Sequence, residues 1–188
     1  MSNMVVLGMG LMGPAIAKDL SEEQEVSKVK GCDTNNARLK AAAVFVANKK
    51  FEAVELDISK HDALVDAIRG YDAVVNATAA GFSVPILKAA IQAKVNVVDL
   101  TDEAYTPESN MYREVEKAGI TAIPGCGVDP GLIDILSGHG MDLMYKVEEV
   151  HLASGGLPKV LSPPLNFKLI MGGIKVQMQL CKVSIIRD

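Results

Sequence analysis

An α/β fold is expected for this chain: a doubly wound parallel sheet, followed by part of a second, α+β domain. Three observations carry the expectation. Strand and helix patterns alternate regularly along residues 1–124, the arrangement that builds a parallel sheet with helices on both faces. Most strand candidates are unbroken apolar runs, as strands buried on both faces require. A glycine-rich turn, Gly8-Met9-Gly10-Leu11-Met12-Gly13, links the first strand to the first helix.

Strands are expected at 3–8, 27–33, 51–56, 72–76, 96–100 and 120–124, with helices at about 12–20, 35–47, 60–69, 84–93 and 107–118. In the first helix, Met12, Ile16 and Leu20 share one face. Ser59 and Asp62 form a capping-box pattern before Leu64, Val65 and Ile68, and Gly70 suits the exit. Thr106 suits the cap of the next helix but one, with Pro107 at its first position and Gly119 past its end. After Pro124 the pattern changes. Gly125-Cys126-Gly127-Val128-Asp129-Pro130-Gly131 is a turn-rich crossover. Beyond it we expect a helix to about Met144, a strand near 146–153, a loop rich in Gly and Pro, and a strand-like stretch over 173–186. The domains are therefore read as 1–124 and 125–188, the second only partial. Its few strands need support from the first domain or from a second copy, so a homodimer is expected.

Composition narrows the partners. The net charge of the 188-residue chain is −4 and no Lys/Arg stripe appears, which argues against nucleic acid. No apolar run approaches the ~20 residues of a membrane span. Cys32, Cys126 and Cys181 are widely spaced, so neither a metal site nor a disulfide framework is expected. The first residues lead straight into a strand pattern with no leader, and a reducing, cytoplasmic setting is the expectation. With no Trp, four Phe and four Tyr, the core must be aliphatic.

The glycine turn sits in the setting of a Rossmann-type dinucleotide site. Gly8 permits a tight turn, Gly10 lets a pyrophosphate reach the backbone, and Gly13 lets helix and strand pack closely. The first helical turn offers free N–H groups and a positive dipole end. Asp33, twenty positions after Gly13, is placed to accept both ribose hydroxyls, which favours NAD; Arg38 softens that preference and leaves NADP open. A methyltransferase with a similar turn is disfavoured by the third glycine and its spacing to Asp33. Asp57 ends the third strand. It suits an adenine amino group, with Ile58 packed on the ring, and equally a helix-capping role. Ala77 and Thr78, in a run of small residues after the fourth strand, suit backbone contact with the phosphates and nicotinamide ribose; a plain tight turn is the other reading. Asp99 and Thr101 point to one side if the strand continues, either lining a pocket for an amino group or lying in a solvated acidic loop with Asp102 and Glu103. Cys126 and Asp129 follow the sixth strand, where a nicotinamide ring and its substrate would meet. A helix N-cap suits Asp129 as well, and plain packing suits Cys126. His61, His139 and His151 read as structural or solvated.

The chain resembles the saccharopine dehydrogenase and saccharopine reductase family, most closely its lysine dehydrogenase-like branch. The resemblance rests on Gly8 to Gly13, on Asn76-Ala77-Thr78, on Val98-Asp99-Leu100-Thr101, and above all on Gly125 to Leu132. Ser154-Gly155-Gly156-Leu157-Pro158 and Pro164-Leu165-Asn166-Phe167 extend it. It implies a nicotinamide-dependent oxidoreductase acting on a C–N bond of an amino-acid substrate. It also implies a Rossmann domain and an α+β domain that shapes the pocket. Gly8, Gly10, Leu11, Met12, Asp33, Asp57, Ala77, Thr78 and Asp99 would then surround the cofactor. Cys126 and Asp129 would lie by the reacting carbon, with Asp99 and Asp129 among the acids that hold or deprotonate the amine. This chain is shorter than such enzymes, and a non-catalytic NAD(H)-binding module or subunit is the alternative.

Overall fold

The computed structural model describes residues 1–79, 81–102, 104, 111–155 and 160. Six strands form one parallel sheet: β1 (Ser2–Leu7), β2 (Val26–Asp33), β3 (Phe51–Glu55), β4 (Ala73–Asn76), β5 (Asn96–Asp99) and β6 (Ala122–Ile123). Their order across the sheet is β3-β2-β1-β4-β5-β6, so the winding reverses between β1 and β4. The helices are α1 (Gly13–Glu22), α2 (Asn36–Val46), α3 (His61–Ile68), α4 (Ser83–Ala93), α5 (Met111–Ala118) and α6 (Leu132–Asp142). The expected α/β class and Rossmann-type winding are what the structure shows.

Alternation along each strand sorts side chains into two cores. Val5, Leu7, Val74 and Val97 face a layer with Leu64, Val65, Ile68, Ile86 and Leu87. Val6, Val29, Val75 and Val98 face the opposite layer, with Met9, Ala17, Leu39 and Ala42. Central strands buried on both faces need the continuous apolar runs seen in the sequence. Each fully buried aliphatic side chain contributes roughly 1.5–3 kcal/mol. The register aligns the carboxyl ends of the strands: Leu7 pairs Cys32 and Asn76, Asp33 pairs Glu55, and Asn76 pairs Asp99. Side chains for a site are therefore presented along one edge.

Several expected details differ. The buried stripe of α1 is Gly13, Ala17 and Ser21, not the larger face expected; Met12 is 46% exposed, while Ile16 and Leu20 flank the core. Small residues win that face because the helix start lies against the end of β1. The Ser59–Asp62 capping box does not form. Lys60 is the N-cap of α3 without a side-chain bond, because Ser59 gives both its N–H and its hydroxyl to Asp57 Oδ1. No strand covers 146–153. Adjacent Glu148 and Glu149 break the alternation there, and each bonds an exposed neighbour, Lys146 and His151. Thr106, Pro107, the 173–186 stretch, Cys181 and the Pro164 to Phe167 motif lie outside the described residues.

The chain divides into two compact units, Met1–Gly127 and a second beginning at Val128. That division falls slightly later than the sequence reading, because Gly125 and Cys126 donate their N–H groups to Thr101 O and Asp99 O and so stay with the sheet. In the second unit α6 has no buried residue. Among the described residues no helix is long and apolar enough to cross a membrane.

Gly31, in the middle of β2, is a packing constraint that the turn-centred reading missed. A Cβ there would lie 2.6 Å from the Phe51 ring and 2.9 Å from Met9 Sδ. Gly31→Ala is expected to destabilise the sheet unit by about 1–3 kcal/mol through overpacking, read as a lower midpoint in urea unfolding with an unchanged slope.

Candidate functional site

The loop from Gly8 to Met12 lies where the winding reverses, the crevice in which open α/β sheets hold ligands. Gly8 has φ of 92°, and a Cβ on it would lie 2.7 Å from Ala77 O. Its N–H donates to Cys32 O at 2.8 Å. At Gly13 a Cβ would lie 1.8 Å from Gly8 O, whereas at Gly10 it would meet nothing within 4 Å. The three glycines thus have separate jobs: a positive-φ turn, an open approach, and a close helix contact. No side chain caps α1, so the first-turn N–H groups of Gly13 and Ala15 (Pro14 between them has none) are available to an anion, with the dipole in the favourable sense.

Asp33 ends β2 beside this loop. Its Oδ2 accepts from Met9 N–H at 2.9 Å and its Oδ1 from Asn35 N–H at 2.8 Å. The side chain is 8% exposed, and the Arg38 guanidinium stands 3.7 Å from Oδ2. Two bonds use about half of a carboxylate's acceptor sites, which leaves capacity for a ribose hydroxyl. Asn35 caps α2 by accepting from Ala37 and Arg38 N–H, and so sets where Arg38 leaves the helix. A cleft of about 300 Å³ opens alongside, lined by Gly10, Leu11, Pro14, Arg38, Ala41 and Phe45 among others. Leu11 and Met12 are exposed at the loop's crest.

Asp57 and Ile58 follow β3, whose end is tied to β2 by Leu56 N–H donating to Asp33 O. Asp57 is held below the usual carboxylate range, first by the Ser59 hydroxyl, then by the Ser59 N–H, with Lys60 adding charge. Ile58 packs partly against the core. Asp57 does not cap α3, whose N-cap is Lys60 without a side-chain bond; it accepts from the Ser59 N–H and hydroxyl in the turn ahead of that helix.

On the other side of the reversal, Ala77 lies against Gly8 and Thr78 is bonded to Asn76. Asp99 is 1% exposed, not in a solvated loop, and accepts from Asn76 and Thr101. Cys126 is exposed, not packed away; its thiol makes weak contacts with Ile123 O and Pro124 O. Partial desolvation of the sulfur, and then the charge of Asp99, push that thiol's pKa up. Asp129 belongs to the second unit. It is not a helix N-cap: Gly131 holds that position and donates to Asp134 Oδ2 at 2.9 Å, while Asp129 accepts from Ser154 Oγ. The structure therefore gathers Gly8, Gly10, Leu11, Met12, Gly13, Asp33, Ala77 and Thr78 around one crevice. Ser83 and the Asn76 side chain, both buried, are functional positions that the sequence does not single out; Asn76 figures there only within the Asn76-Ala77-Thr78 motif, and its partnership with Asp99 is set by strand pairing.

Comparison with known proteins agrees with this geometry. Residues 4–123 match the family model described as the saccharopine dehydrogenase NADP binding domain. The chain is 27% identical over 161 residues to saccharopine dehydrogenase [NADP(+), L-glutamate-forming] of Saccharomyces cerevisiae, covering 85% of this chain and 33% of that protein. It is 28% identical over 184 residues to the mitochondrial alpha-aminoadipic semialdehyde synthase of Mus musculus, covering 94% of this chain and 19% of that one. The solved apo structure of the yeast saccharopine dehydrogenase superposes with a TM-score of 0.65 at 26% identity, over 75% of this chain and 30% of that chain. This chain thus spans a third or less of the length of these relatives.

Two outcomes follow from the site's packing and electrostatics. Gly13→Ala must push α1 away from Gly8 O, and is expected to weaken NADH binding by about tenfold or more, ~1.4 kcal/mol, in calorimetric titration. Burial pushes the Cys32 thiol up to about 12, whereas an unfolded thiol ionises near 8.5. Stability from the buried thiol is intact below the unfolded value and falls as pH rises toward 12. Residue-resolved alkylation at neutral pH is expected to modify Cys126 slowly and Cys32 only on global unfolding.

Proposed function

The chain belongs to the saccharopine dehydrogenase family, and from that premise we propose that its sheet unit binds NAD(H) in preference to NADP(H), for hydride transfer at a C–N bond of an amino acid. The reaction would be of lysine dehydrogenase or saccharopine dehydrogenase type. The supporting observation is Asp33, a carboxylate at the tip of β2, against the open approach at Gly10. A 2′-phosphate at that ribose would face like charge, a repulsion of a few kcal/mol at most near a protein surface. Arg38, 3.7 Å away, offsets part of it, so the discrimination is modest. The family model's NADP-binding description and this carboxylate pull in opposite directions, and the local charge is the stronger argument for this chain.

The chain's residues bind and orient. The α1 N-terminus and the Gly10 backbone hold the diphosphate, and the remaining acceptor sites of Asp33 hold the adenosine ribose. A nicotinamide cofactor held there would supply the acceptor for the hydride of the amine-bearing carbon. The imine that remains takes up water and splits into a carbonyl compound and an amine, with one proton released. A second reading is a module that binds NAD(H) without turnover; the observation that favours it is that, among the described residues, α6 buries none of its side chains, whereas a substrate wall that excludes water needs buried ones.

One experiment separates these readings. Calorimetry with NADH and NADPH is expected to give tighter NADH binding, with Asp33→Ala shifting the ratio toward NADPH by about tenfold. Tighter NADPH binding by the unaltered protein would overturn the cofactor preference. Steady-state assays with lysine, saccharopine and related diamines then divide enzyme from module: nicotinamide reduction with any of them supports turnover, and binding with no reduction supports the module.

A further inference from the structure

A buried carboxylate, Asp99, sits at the centre of a hydrogen-bonded network with no counter-cation among the described residues. We infer that Asp99 is a positioning residue that clamps the loops after β4 and β5 into the shape that receives the nicotinamide half of the cofactor. The inference rests on the dinucleotide-binding reading of this site, but not on the choice between NAD and NADP or on any substrate.

The network can be followed proton by proton. Asp99 Oδ1 accepts from Thr101 N–H at 2.8 Å, from Thr101 Oγ1 at 3.1 Å and from Asn76 Nδ2 at 3.0 Å. Thr101 has one hydroxyl proton, spent on Asp99, so Ser83 Oγ must donate across the 2.7 Å contact to Thr101 Oγ1. Ser83 Oγ in turn accepts from the other Asn76 Nδ2 proton at 3.3 Å. The carbonyl end of Asn76 accepts from Thr78 N–H at 3.1 Å and from its hydroxyl at 2.6 Å. Asn76, Ser83 and Asp99 are each 1% exposed. One carboxylate thereby fixes Asn76 through Thr78 on one loop, the start of α4 at Ser83, and the turn at Thr101. Its own backbone oxygen accepts from Cys126 N–H at 2.8 Å, which ties the segment after β6 to the same point.

Sealing a carboxylate this deeply is costly unless it is hydrogen-bonded, and such networks define one arrangement strongly because a half-made one is worse than none. The place matters too. A sheet of this order is two mononucleotide-binding halves meeting at the winding reversal. Asp33 and the Gly8–Gly13 turn serve the adenosine half on β1–β3. The Asp99 network lies wholly in the other half, on β4 to β6. Its nearest link to the glycine turn is Ala77, whose carbonyl leaves no room for a side chain on Gly8. At 1% exposure Asp99 is badly placed to touch an amine; its effect must travel through the loops it holds.

The test compares ligands that use one half or both. Asp99→Ala is expected to weaken NADH binding by about tenfold, ~1.4 kcal/mol, while AMP binding stays unchanged. Asp99→Asn keeps an acceptor at Oδ1 and is expected to recover most of the loss. Thr101→Val removes the hydroxyl bonds to Asp99 and Ser83 with little change in shape. It is expected to give a smaller loss confined to NADH, and serves alone if Asp99→Ala does not fold. Equal losses for AMP and NADH, or NADH binding untouched in the folded variants, would overturn the clamp. Unaltered protein that binds AMP but not NADH would overturn it together with the cofactor reading.

Discussion

The contact between Gly8 O and the Cα of Gly13 governs the site. With 1.8 Å available to a side-chain carbon, α1 starts against the end of β1 or not at all. That proximity places the helix's free N–H groups at the strand tip and leaves Gly10 facing open space. It also dictates the inner face of α1, where Gly13, Ala17 and Ser21 are buried and Ser21 returns its hydroxyl to Ala17 O at 2.6 Å. The same loop is pinned from the side by Ala77 O against Gly8 and by Asp33 on Met9 N–H. Three independent restraints hold one anion-binding turn in place before any ligand arrives.

A second regularity lies along the carboxyl edge of the sheet. Four successive strands finish in, or within two residues of, an Asp or Asn whose Oδ1 accepts the N–H two residues on: Asp33 from Asn35, Asp57 from Ser59, Asn76 from Thr78, and Asp99 from Thr101. This local bond turns the chain out of the strand and toward the following helix. Side chains that read as ligand contacts therefore have a structural duty first. The duty costs each of them one acceptor position, and what remains decides whether a ligand can use the group.

The central features were legible because they are local or periodic. The glycine turn, the apolar runs and the alternation of elements each concern neighbours within one element, and the sheet followed from them. What escaped the sequence depends on distance. Nothing in the spacing of Asn76 and Asp99 reveals that their strands are adjacent and in register. On α1 amphipathic periodicity favours Met12 over Gly13 for the inner face, whereas close backbone approach selects the residue without a side chain. Asp62, three residues on, gives Ser59 the pattern of a cap, but Asp57 claims it from the other direction. Asp129 looked like an N-cap until Gly131 took that position and Asp134 bonded its N–H.

Asp33 and Asp99 show how similar local bonding leads to different roles. Both end a strand, both accept the N–H two residues on, and both carry at least one longer-range bond. Asp33 holds its bonds on separate oxygens, retains 8% exposure, and has a guanidinium close by at the rim of an open cleft. A ligand hydroxyl can join that set without displacing anything. Asp99 concentrates three donors on one oxygen inside a sealed cluster, where rearrangement would leave Asn76, Ser83 or Thr101 without a partner, each at about 1–3 kcal/mol. On the proposed reading, the first carboxylate is open to a nucleotide and the second holds still the loops that the nucleotide would meet.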